Sequence, residues 1–343
     1  MNSAPILKIA FPKHLPLPEG ETVLAADVGG TKTALALYEM RGGAMSLLRQ
    51  TVYASNKFTS LEEAIRHFTG TSPLPARLSI AFAGPVQDGK AKATNLGWSI
   101  DIDALSRELG VSRVFLLNDL EAGAYGLAAL NPQDFLTVYP GKTPATGNAA
   151  IIAPGTGLGE GGLYWDGSTF HPFATEGGHS AFAPVDAFDA ELMLFLQSQY
   201  SRVSWERVVS GPGILRIYTF LRDIKKQEAP DWLEERMRTS DPAAAISLGA
   251  QEGTDICVET LRLFVRYLAV ESSSLVLKLK ATGGLFIGGG IPPKIWNDDL
   301  QAVFLEQFFD VGRLRPLLEM TPVYLVLNQH TALLGAAYYG FQA

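Results

Sequence analysis

Two glycine-rich turns, each set between two strand-like runs, constrain this chain more than any other feature. The first reads Val23-Leu-Ala-Ala-Asp27-Val-Gly29-Gly30-Thr31-Lys32-Thr33-Ala-Leu-Ala-Leu37, and the second Ala149-Ala-Ile-Ile-Ala-Pro-Gly155-Thr156-Gly157-Leu158-Gly159-Glu-Gly-Gly-Leu-Tyr164. An apolar run, a Gly/Thr turn and a second apolar or alternating run make a β-hairpin whose tip is mostly backbone. With no Cβ in the way, N–H groups at such a tip can converge on an anion. One turn of this kind also serves as a plain hairpin tip. Two of them, far enough apart to lie in different domains, predict a phosphate chain gripped from both sides.

Other phosphate motifs fail on their own geometry. Gly141-Lys142-Thr143 is no Walker loop, because Leu136 stands where that motif needs a glycine. Gly157–Gly162 spells G-x-G-x-x-G, but Leu163–Gly167 reads as a strand entering a turn, whereas the dinucleotide motif opens a helix. At 343 residues the chain exceeds the size at which one core stops growing, which predicts two domains. A net charge of −7 speaks against nucleic acid or an anionic membrane as partner, so a polyanionic ligand must be held by backbone dipoles and metal. No apolar run approaches the roughly 18 residues of a membrane-spanning helix. Lys8, Pro12, Lys13, Pro16 and Pro18 break up any signal-peptide core in the Met1–Gly20 extension. The single cysteine, Cys257, excludes an intrachain disulfide and a multi-cysteine zinc site, and the cytoplasm is the expected compartment.

Strand-turn-strand elements followed by strand-helix units predict an α/β protein with mixed sheets flanked by helices. Ser79–Ala83 is a strand stopped by Gly84-Pro85, and Val114–Leu117 a strand feeding an Ala-rich helix over Glu121–Leu130. Residues 186–271 read as mostly helical, with Cys257, Leu261, Phe264 and Leu268 on one face, which makes Cys257 a core residue. Gly284–Ile287 returns to strand and opens Gly288-Gly289-Gly290-Ile-Pro-Pro-Lys294, a turn into a helix with room for a flat group against backbone. Thr331–Tyr339 reads as a helix of small residues.

Two clusters can carry chemistry. Asn118-Asp119 sits where a buried strand meets a helix, and Asn118-x-x-Glu121 resembles a capping box. Asp119, presented at a strand's carboxyl end, suits a proton acceptor for a substrate hydroxyl, because an alcohol is a poor nucleophile until its proton has somewhere to go. Glu176-Gly177-Gly178-His179 sets a carboxylate and an imidazole on a flexible glycine loop, which suits hydrogen bonding to neighbouring hydroxyls better than metal ligation. Glu206 is compatible with the same role or with that of a first-turn helix acid. Asn95, in Thr94-Asn95-Leu-Gly-Trp98, would add an amide or simply make a turn.

Together, Asp27-Val-Gly-Gly-Thr, Leu117-Asn-Asp-Leu, Pro154-Gly-Thr-Gly-Leu-Gly, Glu176-Gly-Gly-His and Gly288–Lys294 resemble, in order and spacing, the bacterial ATP-dependent glucokinases of the hexokinase/actin-like ATPase superfamily. The resemblance runs from Val23 to the C-terminal helix. It implies a two-domain actin-like (ribonuclease H-like) fold around a central cleft. The small domain would span 1–129 with the C-terminal 322–343, and the large domain 130–321. It further implies ATP and Mg²⁺ as cofactors, glucose as substrate and a homodimer. By the same resemblance Asp119 is the general base for the sugar's 6-hydroxyl, and Asn95, Asn118, Glu176, His179 and Glu206 bind sugar hydroxyls. Gly29, Gly30, Thr31, Gly155, Thr156 and Gly157 would grip phosphates, Gly289 and Gly290 would face the adenosine, and Asp27 would orient Mg²⁺ or its waters. Lys32-Thr33 departs from the Asn common in this group and looks like the repressor–kinase (ROK) relatives, whose Cys-rich zinc motif one cysteine cannot supply. Lys32 is left facing phosphate or solvent. A kinase for another hexose, a polyphosphate-dependent kinase and a non-catalytic sugar sensor remain as alternatives.

Overall fold

The computed structural model describes residues 7–11, 19–93, 96–142 and 146–343. The chain divides into two compact units. One runs up to Asp134 and takes in Gly162–Ala174 and His330–Ala343, while the other comprises Phe135–Gly161 and Thr175–Gln329.

In the first unit β1 (Thr22–Val28), β2 (Lys32–Arg41), β3 (Ala44–Ala54) and β4 (Arg77–Phe82) are joined by α1 (Leu61–Thr69) after β3. The ribbon β5 (Lys90–Ala93) and β6 (Trp98–Asp101) leads through α2 (Ile102–Leu109) to β7 (Arg113–Asn118) and α3 (Asp119–Leu127). The sheet order is β3-β2-β1-β4-β7, with β1, β4 and β7 parallel and β2 antiparallel to its neighbours. Alternate residues of β1 explain its unbroken apolar run. Leu24, Ala26 and Val28 enter a core with α1 and α2, whereas Val23 and Ala25 enter a second core on the opposite face. Strands covered on both faces have no polar alternation to show. α3 ends at Leu127, earlier than the Ala-rich pattern suggests, because Ala128 and Ala129 close it with i→i−3 turns.

The second unit holds β8 (Phe135–Tyr139), β9 (Ala149–Pro154) and β10 (Leu158–Trp165), and β11 (Phe170–Thr175) completes the β10 hairpin at the 162–174 segment grouped with the first unit. Then come α4 (Ala187–Gln197), α5 (Gly211–Asp223), α6 (Asp231–Thr239), α7 (Pro242–Gln251) and α8 (Asp255–Leu279). The chain continues through β12 (Gly284–Ile287), α9 (Pro292–Ile295), α10 (Asp298–Phe308), α11 (Arg315–Leu318) and β13 (Val323–Val326). Sheet order is β11-β10-β9-β12-β13-β8, with β12 parallel to both β9 and β13. The core gathers around α8, where Cys257, Leu261, Phe264 and Leu268 are all buried, and burial pushes the Cys257 thiol up to about 11.

The chain ends in α12 (Thr331–Gln342), which packs on β1, β4 and α3 of the first unit. Its small residues are explained by close approach, since a Cβ on Gly335 would stand 1.7 Å from the Ala122 carbonyl oxygen. Arg77, buried in β4, donates to the Gly340 and Ala343 carbonyls at 2.9 Å each and so caps the helix's open end. Of the N-terminal extension, Ile9 bridges Phe170 and Phe11 stacks on Tyr125 at 5.3 Å, so it is partly structural. Among the described residues, no helix is long and apolar enough to cross a membrane.

Candidate active site

The first glycine turn joins β1 to β2. Gly29 N donates to the Lys32 carbonyl at 2.9 Å, closing the hairpin. Ser55, fully buried after β3, fixes the turn from behind: its N–H donates to the Thr31 carbonyl and its hydroxyl to the Gly29 carbonyl, both at 2.9 Å. Thr33 Oγ1 lies 2.9 Å from the same hydroxyl. Gly30, Thr31 and Lys32 are exposed, so Lys32 sits at the rim and not under the turn. Asp27, one pleat before, is a half-buried carboxylate whose pKa rises to about 6 through desolvation alone. A lone acid of this kind fits a hydrated cation, since Mg²⁺ takes one or two carboxylates and keeps several waters. No cluster of three or more ligating side chains exists among the described residues.

At the end of β7 the capping box forms in both directions. Asn118 Oδ1 accepts from Leu120 N at 2.9 Å and Glu121 N at 3.3 Å, while the Glu121 carboxylate takes the Asn118 backbone N–H. The Asn118 amide nitrogen donates to the Gly84 carbonyl at 3.0 Å, and the side chain is buried. Its capping role is therefore the one observed, and it leaves little of the amide for a ligand. Asp119 follows, half-buried, as the first residue of α3, with one oxygen accepting from Leu120 N at 3.0 Å.

The second unit builds its site around the β9–β10 turn. Gly155 N donates to the Gly157 carbonyl at 2.8 Å, and the Gly155 carbonyl accepts from Gly211 N, also at 2.8 Å, at the start of α5. Ser210 caps that helix by accepting from Gly213 N, so the positive end of α5 abuts the turn. Gly289 completes this side. It has φ +81°, and a Cβ there would stand 2.3 Å from the Pro154 carbonyl oxygen, whereas Gly155 and Gly290 face open space. The predicted phosphate turn and the predicted adenosine turn thus meet. Sequence reading missed the Ser210-Gly211-Pro212-Gly213 helix start beside them, although its Ser-cap and N-terminal Pro were visible signals.

The same turn reaches the hydroxyl-binding candidates at its other end. Glu206 lies on a short 3₁₀ turn, Trp205–Arg207, and accepts from Leu158 N at 3.1 Å. A Cβ on Gly157 would stand 2.5 Å from that carboxylate. Glu206 is therefore a brace of the glycine turn as well as a ligand candidate, which the helix-acid reading did not foresee. The Glu176–His179 loop also departs from the flexible loop expected from its glycines. It is a 3₁₀ turn over Gly177–His179, with Gly178 buried so tightly that a Cβ would meet the Leu158 carbonyl oxygen at 2.1 Å. Glycine here serves close packing, and Glu176 and His179 project exposed from a rigid base. His179 and Glu206 line one open cleft of about 470 Å³ with Tyr200, Arg202 and Arg207. His171 pairs with Asp166 at 2.7 Å instead of joining this group, and Asn95 lies outside the described residues.

Known proteins resemble this chain over most of its length. The Glucokinase family model matches residues 24–343. A glucokinase of Nostoc punctiforme is 40% identical over 332 residues, covering 92% of this chain and 97% of its own, and one of Synechocystis is 36% identical over 345 residues, covering 93% and 97%. The crystal structure of a glucokinase from an Antarctic psychrotroph superposes with a TM-score of 0.77 at 32% identity, covering 93% of this chain and 98% of its own. A ROK family glucokinase from Streptomyces griseus, solved with glucose and AMPPNP, has a TM-score of 0.64 at 20% identity and covers 92% and 98%, a likeness of fold alone. The fold is that of the actin-like ATPases, and the chain belongs to the glucokinase family.

Proposed function

We propose that this glucose-phosphorylating kinase transfers the γ-phosphoryl of Mg-ATP to the 6-hydroxyl of glucose, with Asp119 as the base. The observation that carries the reading is the Gly155–Leu158 turn. One end contacts Gly211, with Gly289 packed on Pro154 just before it, and the other contacts Glu206 and Gly178, so a single turn would tie the nucleotide-binding candidates to the hydroxyl-binding candidates. Phosphoryl transfer asks a protein for positioning and charge neutralisation more than for covalent chemistry. Backbone N–H groups of the two glycine turns would hold the phosphates, with the α5 N-terminus adding its dipole. Mg²⁺, held by Asp27 through water and by the phosphates, would supply the remaining neutralisation. Asp119 would accept the hydroxyl proton as the new P–O bond forms, giving glucose 6-phosphate and ADP. Glu176, His179 and Glu206 would orient the sugar, and Asn95 is a further candidate on the family resemblance alone. Asn118 acts by holding the start of α3, and thereby Asp119.

Replacing Asp119 by Asn keeps the shape and removes the proton acceptor. Turnover should then fall by roughly 10²–10⁴, the usual worth of a general base, while KM for glucose changes little. Near-normal turnover in a folded variant would sink the assignment. Initial rates with glucose, mannose, fructose and N-acetylglucosamine, each with ATP or polyphosphate, separate the glucose kinase from its alternatives.

A further inference from the structure

Behind the Glu176–His179 turn lies a pair of buried acids that the reaction does not use. Glu160, on β10, is 2% exposed, and its Oε1 has no hydrogen-bond partner. Its Oε2 packs directly beneath the turn, where a Cβ on Gly177 would stand 2.0 Å away. Thr175 Oγ1 links the same two segments, donating to the Glu160 carbonyl at 2.9 Å and accepting from Gly177 N at 3.1 Å. The second acid, Glu271 of α8, is fully buried. Its Oε1 lies 3.0 Å from Lys278 Nζ and its Oε2 has no partner; burial raises its carboxyl above the ordinary range, opposed first by Lys278 and then by Trp205.

Two interacting buried carboxylates with one lysine bonded to only one of them cannot both hold a charge cheaply. Lys278 bonds Glu271, so the charge belongs on Glu271 and the proton on Glu160. A neutral Glu160 also explains its position. A carboxylic acid can lie bare against the backbone of a tight turn, whereas a carboxylate there would be an unpaired buried charge.

We propose that Glu160 is a positioning residue for the hexose, holding the Glu176–His179 turn from beneath as a neutral carboxyl. The inference rests on that turn binding the sugar. Burial, with repulsion from Glu271 outweighing attraction from Lys278, pushes the Glu160 carboxyl up to about 8. The groups around it are Glu271 and Lys278 from α8 and, on the turn above, Glu176 and His179. Raising the pH through 8 would ionise Glu160, push it away from Glu271 and disturb the turn. Glucose binding, but not ATP binding, would then weaken.

The test is KM for glucose and for ATP, with glucose Kd by calorimetry, between pH 6.5 and 9.5. In the wild type KM and Kd for glucose should rise above about pH 8, by up to about tenfold per unit, with KM for ATP steady. Glu160→Gln, which mimics the neutral acid, should bind glucose within about twofold of wild type at pH 7 and abolish the alkaline rise. Glu160→Ala should raise KM for glucose at every pH. A wild-type Kd that stays flat to pH 9.5, or a Glu160→Gln profile that follows the wild type, overturns the inference. Glu176→Gln tests the underlying reading separately. If it binds glucose as wild type does, the sugar-binding reading of the turn falls, and the role of Glu160 toward the hexose falls with it.

Discussion

Asp27 should cost the empty enzyme stability, and Asp27→Asn should return it. The folded carboxyl sits at about 6 against an ordinary 3.8, raised by desolvation on burial. The sign follows from proton binding. Between pH 4 and 6 the folded state holds a proton that the unfolded chain has released, so this group's contribution to stability falls as pH rises through that window and stays low above it. Two units correspond to about 3 kcal/mol, and solvent reaching the half-buried side chain reduces this to roughly 1–2 kcal/mol. Asparagine is neutral throughout. In urea melts without nucleotide, Asp27→Asn should therefore match the wild type near pH 4 and exceed it by about 1–2 kcal/mol at pH 7.5. The same variant should lose most of its turnover with Mg-ATP. A variant whose stability relative to wild type is the same at both pH values, or lower at pH 7.5, refutes the claim that burial of the Asp27 carboxylate costs the fold stability.

Two further substitutions separate the elements of the site. Ser55→Ala removes the hydroxyl that holds Gly29 and faces Thr33, two hydrogen bonds worth about 1 kcal/mol each. Chemical melts should show a loss of about 1–2 kcal/mol, and KM for ATP should rise by up to roughly 30-fold with KM for glucose unchanged; an unchanged KM for ATP would show that the turn keeps its shape without Ser55. Glu206→Ala strips the brace from Leu158 N as well as a candidate sugar ligand, so steady-state kinetics should show roughly tenfold increases in KM for both substrates. Glu176→Ala should raise KM for glucose alone, and identical behaviour of the two variants would argue against a bracing role for Glu206.

Short-range chemistry was legible in the sequence. The Asn118–Glu121 box needs only four residues, and its preferences are set by local donors and acceptors, so it formed as read. The β12 strand, bounded by glycines, and the apolar face around Cys257 were likewise visible in local pattern. What escaped depends on contacts between distant positions. Ser55 reaches Gly29 across two strands, and Glu206 reaches Leu158 across 48 residues. Ile9 bridges Phe170, a pairing no local pattern encodes. Glu160 was hidden in plain view, spelled inside a glycine string where it read as a spacer between turn residues.

Glycine caused both the success and the error, and the structure separates its two uses. At Gly155 and Gly290 a side chain would meet open space, so steric need does not account for glycine there, and room for the proposed anion or flat ring would. At Gly178 and Gly289 a Cβ would strike a carbonyl oxygen at 2.1 and 2.3 Å, so glycine is what lets one turn lie on another. The first kind leaves room for ligands and the second removes freedom from the residues that flank it. That is why Glu176 and His179, on a turn with two glycines, are held and not loose. A turn fixed by backbone contact loses little entropy when a ligand arrives, which would favour tight positioning of a sugar bound there as proposed. The same rigidity makes the turn sensitive to whatever lies beneath it, and beneath it lies Glu160.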